Sequence, residues 1–400
     1  MVTRAEADRI ATGPETVDRS MIGTTRRINP HTKMIEYSRM PTNVTAYETK
    51  ESVIFRIDPA REVGKLIFQI GTADPDLAVQ AARVVAADVA GIDVNAGCPK
   101  QFSTHGGMGA ALLRTPDKLV AILEALVREI PPVFGIGISV KIRILSTAAD
   151  TEALVRRLVA TGIIGLTVHC RTTPMRPREA AIRDQLKMIR EICHEAGVAC
   201  VMNGDVEGRD HAMKLMEEYG TDGAMVATAA ERNPSCFRTE SEGGLANWKE
   251  FVGHYLRFAM EVGNKCGNTK YSLGMLVPGK AHEYRMIAPQ KSYTDLVRGL
   301  GYEAMEVGDG PSMMELAQRT DKILEIGEFK PPPPPPQAKS KKQKQQQGKN
   351  QVQGQKRKRT PSPDAKVAVA KSGEETVSEA LRQAGETVAA IPPAAAATTV

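Results

Sequence analysis

The feature that most limits what this chain can fold into is an alternation of short β-rich runs with helical stretches. The runs are Leu66–Ile70, Gly91–Asn95, Ser139–Ile144, Ile164–Cys170, Val198–Asn203 and Ala224–Ala227. Between them, Asp76–Ala87, Thr115–Arg128, Thr151–Ala160, Arg183–Glu195 and Arg209–Tyr219 read as helices. Repetition of this kind builds a parallel sheet covered by helices, either a doubly wound sheet or a (β/α)8 TIM barrel. Polar strand ends separate the two. Gln69, Asn95, Lys141, His169 and Asn203 each stand at or near the C-terminal end of a run. A barrel gathers such ends around one pocket, whereas an open sheet spreads them along an edge. An α/β TIM barrel is therefore expected over residues 1–236.

After residue 237 the β-rich runs stop. Trp248–Gly263 and Ser312–Ile326 look helical, so a small helical domain is expected over 237–330. Six prolines, Pro331–Pro336, then mark a stiff boundary that cannot pair in a sheet. The Lys/Gln-rich and Ala/Thr-rich residues beyond it lack the apolar surface to offset ordering entropy, so 331–400 is expected to be disordered. Residues 337–359 carry nine Lys/Arg and no acid, which accounts for the net charge of +6 and leaves the body close to neutral. The cluster Lys356–Arg359, before Thr360-Pro361-Ser362-Pro363, reads either as a nuclear-localisation or nucleic-acid contact or as a solubilising tail. No apolar run approaches a membrane span, and the first residues lack a secretory h-region. Six cysteines show neither CxxC nor Cys/His zinc spacing, so reduced thiols, no metal site and a cytoplasmic and/or nuclear location are expected.

The densest chemistry lies in Gly91-Ile92-Asp93-Val94-Asn95-Ala96-Gly97-Cys98-Pro99-Lys100. Strand side chains alternate, which turns Ile92 and Val94 toward the helices and Asp93 and Asn95 inward. A turn at Gly97 sets Cys98 above the barrel mouth. A thiol of ordinary pKa, about 8.5, is protonated at neutral pH and can donate to a carbanion-like centre. A small buried apolar cysteine is the competing reading. In Ser139-Val140-Lys141-Ile142-Arg143-Ile144, Lys141 and Arg143 share the inward face. A lysine there needs an electron-rich partner or must reach solvent. In Leu166-Thr167-Val168-His169-Cys170-Arg171, His169 and Arg171 also face inward, as hydrogen-bonding groups or as structural ones. Asn203-Gly204-Asp205 and Ala227-Thr228 end the last two runs, where TIM barrels often cradle phosphate.

Asp93-Val94-Asn95-Ala96-Gly97-Cys98-Pro99, followed by Gly106-Gly107-Met108-Gly109-Ala110-Ala111-Leu112-Leu113, resembles the signature of the tRNA-dihydrouridine synthases. The resemblance runs from about residue 17 to 326 and is to the eukaryotic, fungal-like branch that modifies position 20 of the tRNA D-loop. It implies an FMN-binding barrel, NADPH as reductant and tRNA as partner; a monomer is expected. By the same resemblance Cys98 is the catalytic acid that protonates uracil C5 while hydride reaches C6. Gln69, Asn95, Lys141, His169, Asn203, Gly204, Asp205, Ala227 and Thr228 are the implied cofactor-binding residues. Arg171, Arg176 and Arg178 are candidates for RNA contact, and the helical domain for tRNA binding. Other FMN barrels, such as dihydropyrimidine or dihydroorotate oxidoreductases, or an inactive RNA-binding remnant, are the alternatives.

The chain departs from the family's pattern in three places. Ala96 replaces a methionine, and Thr228 stands where the family usually has an arginine, which weakens the expected phosphate site. The family's opening alanine–proline–methionine strand and most of its second strand are not recognisable in residues 1–50, and Glu15–Arg19 resembles the segment just after that second strand. Val53–Ile57 reads as a short extra strand or hairpin edge. An N-terminally shortened barrel, with its first strands missing, is the expectation.

Overall fold

The structure, a computed structural model, describes residues 2–3, 10–40, 51–305 and 310–326. The tail expected to be disordered, 331–400, lies outside the described residues. The strands in chain order are β1 (Val2–Thr3), β2 (Ala11–Thr12), β3 (Thr16–Val17), β4 (Thr25–Ile28), β5 (Ile35–Arg39), β6 (Ser52–Ile57), β7 (Leu66–Gly71), β8 (Gly91–Asn95), β9 (Gly137–Arg143), β10 (Gly165–His169), β11 (Ala199–Asn203) and β12 (Gly223–Met225).

The six expected runs form β7 to β12, parallel and adjacent in chain order. Helices follow the strands, as at Pro75–Val85 after β7 and Pro116–Glu129 after β8. The result is a parallel-strand half-barrel of the TIM-barrel-like α/β type. Residues expected to hold no barrel strand add to it. Ala11 and Thr12 pair parallel with Leu66 and Ile67, Thr16 and Val17 pair parallel with Ile70 and Gly71, and Val2–Thr3 pairs antiparallel with β12. Gly13-Pro14 separates β2 from β3, and proline cannot donate to a ladder, so the edge is built from two short pieces.

Alternation explains why the sheet is two-faced. Phe68, Ile70, Ile92, Val94, Val140, Ile142, Leu166, Val168, Cys200 and Met202 are fully buried and join one core with the helices. Each buried aliphatic side chain stabilises the fold by about 1.5–3 kcal/mol. Helix Pro75–Val85 shows the matching period, burying Ala78, Ala81, Ala82 and Val85, and Asp74 caps it by accepting the Asp76 and Leu77 N–H groups. The opposite face carries the polar residues. The ladders put Gln69 beside Asp93, Asn95 beside Lys141, and Arg143, His169, Asn203 and Met225 in one row.

The stretch expected as a hairpin edge is β6, part of a separate antiparallel sheet β4-β5-β6. That sheet is clamped to the half-barrel at Asp88, which receives Arg26 through two hydrogen bonds (2.7 and 2.8 Å) and the Tyr37 hydroxyl. Helices Trp248–Glu261, Cys266–Leu276, His282–Ile287, Tyr293–Leu300 and Met313–Ile326 enclose a second core around Val252, Leu256, Leu273, Tyr293 and Leu296. Arg61 ties this bundle to the rest through Glu261 (2.6 Å) while lying over the Phe258 ring. No helix among the described residues is long and apolar enough to cross a membrane.

Candidate active site

The polar face opens into a cavity of ≈ 540 Å³ at the C-terminal ends of the strands. Gln69, Asn95, Cys98, Lys141, Arg143, His169 and Ala227 line it, together with Ala11, Thr12 and Phe237. Five of these residues come from four successive strands, β7 to β10, and each occupies an inward register position. The sequence therefore brings them together by alternation alone.

Cys98 is held from several directions. The Asn95 side-chain oxygen accepts the N–H of Gly97 (2.9 Å) and of Cys98 (3.0 Å), which fixes the turn that lifts the thiol above the sheet. Arg143 donates Nε to the Gly97 carbonyl (2.7 Å) and Nη1 to the Thr172 carbonyl (3.0 Å), bracing this turn against the loop after β10. Gly109 sits at φ +56, and a Cβ there would fall 2.6 Å from the Cys98 carbonyl oxygen, so only glycine allows this packing. The thiol is half-buried, and all six cysteines are free.

Behind the turn runs a buried polar chain. Asn95 donates to Gln69 (3.3 Å), Gln69 to Asp93 (2.8 Å) and Ser139 to Asp93 (2.7 Å). Burial raises the Asp93 pKa, and its neighbour Lys141 is pushed down to about 8 by the same desolvation, partly offset by Asp93. Among the described residues none accepts a hydrogen bond from Lys141 Nζ. Its ammonium is thus a half-buried cation with donors to spare, facing the cavity. His169 is pushed down to about 3 by burial, with Lys141, Arg143 and Arg171 adding to the shift, so the ring is neutral near pH 7. Arg171 Nη1 lies 3.2 Å from His169 Nε2. A guanidinium only donates, so Nε2 accepts and the ring proton sits on Nδ1.

Several expected site residues are placed differently. Arg171, expected to contact RNA, is 5 % exposed and its guanidinium is occupied by Glu179 O (2.7 Å), Pro177 O (3.2 Å) and Asp205 (2.5 Å). It braces its own loop. Asp205, expected beside the cofactor, instead pairs with Arg171 and accepts the Ala181 N–H (2.7 Å). Asn203 spends its amide on the Met225 carbonyl (2.9 Å), and the Gly204 carbonyl is bound by Arg183 (2.8 Å). Asn203, Gly204, Asp205 and Thr228 do not line the cavity, whereas Ala227 does. Arg176 and Arg178 are exposed on the loop after β10, free of ion pairs among the described residues.

Residues 9–278 match the family model described as dihydrouridine synthase (Dus). The chain belongs to the dihydrouridine synthase family. It is 45 % identical over 296 residues to a protein of Schizosaccharomyces pombe named tRNA-dihydrouridine(20) synthase [NAD(P)+], covering 73 % of this chain and 59 % of that protein. It is 44 % identical over 285 residues to the protein of the same name from Saccharomyces cerevisiae, covering 70 % of this chain and 73 % of that one. A human protein named tRNA-dihydrouridine(20a/20b) synthase [NAD(P)+]-like is 33 % identical over 198 residues, half of this chain and 60 % of its own length. The lining of the cavity falls inside the part of the chain that matches the dihydrouridine synthase family.

Two residues that bear on the Cys98 turn carry little sequence signal. Arg143 reads in sequence only as an inward neighbour of Lys141, and its grip on Gly97 depends on a loop whose path is not local. Glu15 stands within reach of Ser103 (3.1 Å) and close to Cys98. More than eighty residues separate Glu15 from both, so no spacing rule points to it.

Proposed function

We propose that the chain is an NADPH-dependent flavoenzyme that reduces the C5–C6 bond of uridine in tRNA, at position 20 of the D-loop. The observation that carries this is the Cys98 thiol standing over a cavity ringed by Gln69, Asn95, Lys141 and His169. The higher identity to the two fungal proteins named for position 20 than to the human one named for 20a/20b supports the choice of uridine.

The donor set fits the ring system of FMN. Lys141 offers a cation, His169 an Nδ1–H, and Gln69 and Asn95 amides, on one polar face. A reduced flavin ring gathers negative charge along its N1/O2 edge, which a half-buried ammonium with no other acceptor among the described residues stabilises. When bound, the flavin supplies hydride. The phosphate end has a thinner cradle: of the residues expected there, only Ala227 lines the cavity.

The chain's own residues then do the rest. Asn95 and Arg143 hold the Gly97–Cys98 turn, so the thiol keeps its position as substrate enters. Cys98 donates its proton to C5 as hydride arrives at C6, which adds one hydride and one proton and yields dihydrouridine. Exposed Arg176 and Arg178, on the loop after β10, supply backbone contacts to the RNA. The helical bundle, with Tyr271 and Tyr284 on its surface, offers a second surface for tRNA.

Incubating the purified protein with FMN, NADPH and unmodified tRNA tests the reading. Dihydrouridine formed at position 20 supports it. NADPH oxidation driven by free uracil but not by tRNA would overturn it.

A further inference from the structure

Glu15 lies in the link between β2 and β3, far in sequence from the turn that carries Cys98. The fold nevertheless brings its carboxylate into the same small space. The Ser103 hydroxyl donates to Glu15 Oε1 (3.1 Å). The carboxylate presses so closely on the end of β7 that a Cβ at Gly71 would stand 2.6 Å from Oε1. The Cys98 thiol and the Lys100 ammonium are near enough to act on its charge. Three separate segments therefore converge on one carboxylate beside one thiol.

The charges facing Cys98 explain why a carboxylate belongs there. From β9, Lys141 and Arg143 both feel the sulfur, and Lys100 lies on the same turn. Cations beside a cysteine favour the thiolate. A thiolate is a nucleophile and a metal ligand, but it has no proton to give. A reaction that needs Cys98 as an acid needs a negative charge to offset these cations.

We propose that Glu15 is the positioning residue of Cys98: it holds the sulfur as a thiol against Lys100, Lys141 and Arg143, and returns a proton to it after each turnover. The inference rests on the reading of Cys98 as an acid. Burial raises the Glu15 pKa above its ordinary value of 4.5, against the pull of Ser103, Cys98 and Lys100, so a protonated carboxyl is within reach at this position. The proton then balances simply. Cys98 gives its proton to the substrate carbon, the half-exposed Glu15 carboxylate then takes a proton from water, and the carboxyl so formed passes it to the thiolate and is a carboxylate again.

Alkylation of Cys98 by iodoacetamide, followed by mass spectrometry of its peptide between pH 6 and 9, tests this without any turnover. Glu15→Gln removes the charge and keeps the shape; Cys98 is expected to alkylate about three- to tenfold faster at pH 7, because more of it is thiolate. Glu15→Asp keeps the charge, and Ser103→Ala removes only the hydroxyl; both are expected to follow the wild-type profile. In turnover, Glu15→Gln lowers kcat while leaving KM for tRNA within about twofold. A Glu15→Gln profile that overlays the wild type overturns the proposal. So does Ser103→Ala shifting the profile as far as Glu15→Gln, which would make the role purely structural. A shifted profile in a protein that reduces no tRNA supports the pairing and overturns the functional reading alone.

Discussion

Asn95 holds Cys98 in place: one side-chain oxygen accepts both the Gly97 and the Cys98 backbone N–H, at 2.9 and 3.0 Å. Asn95 is 7 % exposed and ends β8, so the rigid sheet sets the position of the turn directly. Replacing Asn95 by Ala leaves two donors without an acceptor in a largely buried site, at a cost of about 1–3 kcal/mol. Urea unfolding should register that loss. Asn95→Asp keeps the acceptor and should recover most of the stability, and single-turnover reduction should fall at least tenfold in Asn95→Ala because the thiol is misplaced.

Lys141 makes the site sensitive to alkali. Its pKa in the fold is pushed down to about 8 from an ordinary 10.5. Between those values the unfolded chain binds more protons than the folded one, so stability of the flavin-free protein rises with pH across that window. Lys141→Met should lack the rise, as followed by unfolding between pH 7 and 10. Flavin retention should move the other way, weakening above about pH 8 as the ammonium is lost.

His169 should stay neutral, with its proton on Nδ1, across the physiological range. Its pKa lies at about 3 in the fold against an ordinary 6.5, so the unfolded chain binds the extra proton first and stability drops as pH falls from 6.5 toward 3. Nitrogen-15 NMR of labelled histidine reads the tautomer directly. An imidazolium signal from His169 at pH 6 would contradict the assignment, and His169→Asn should remove part of the acid sensitivity.

The arginines of the β10 loop should divide into two classes. Arg171 is buried and donates to the Glu179 and Pro177 carbonyls and to exposed Asp205, so Arg171→Met leaves loop carbonyls without a donor and costs about 1–3 kcal/mol. Arg176→Ala and Arg178→Ala should change stability by less than about 0.5 kcal/mol. Each should instead weaken tRNA binding and reduce the salt dependence of log Kd by about 0.7–0.9 for every phosphate it no longer neutralises. Filter binding across a salt series separates the classes.

These residues also mark how far the sequence could be read. Periodicity exposed β7 to β12 because alternating apolar residues and polar C-terminal ends leave a local pattern, and that pattern placed Gln69, Asn95, Lys141 and His169 on one face. It could not reveal β2 and β3, since two-residue strands have no period and owe their pairing to β7. Nor could it say where a polar group spends its hydrogen bonds. Asn203 and Asp205 stand where a phosphate cradle is expected, yet one serves the Met225 carbonyl and the other serves Arg171. Inward-facing Arg171 looked like a ligand contact because alternation gives direction, while saturation of its donors depends on the loop carbonyls of Pro177 and Glu179.

The central claim is that Cys98, set above this cavity, is the acid in uridine reduction. Dihydrouridine mapping of tRNA from cells lacking the gene, rescued with wild type or Cys98→Ala, tests it most directly. The account predicts that position 20 loses dihydrouridine in the knockout, regains it with wild type, and stays largely unreduced with Cys98→Ala. Full restoration by Cys98→Ala would contradict it.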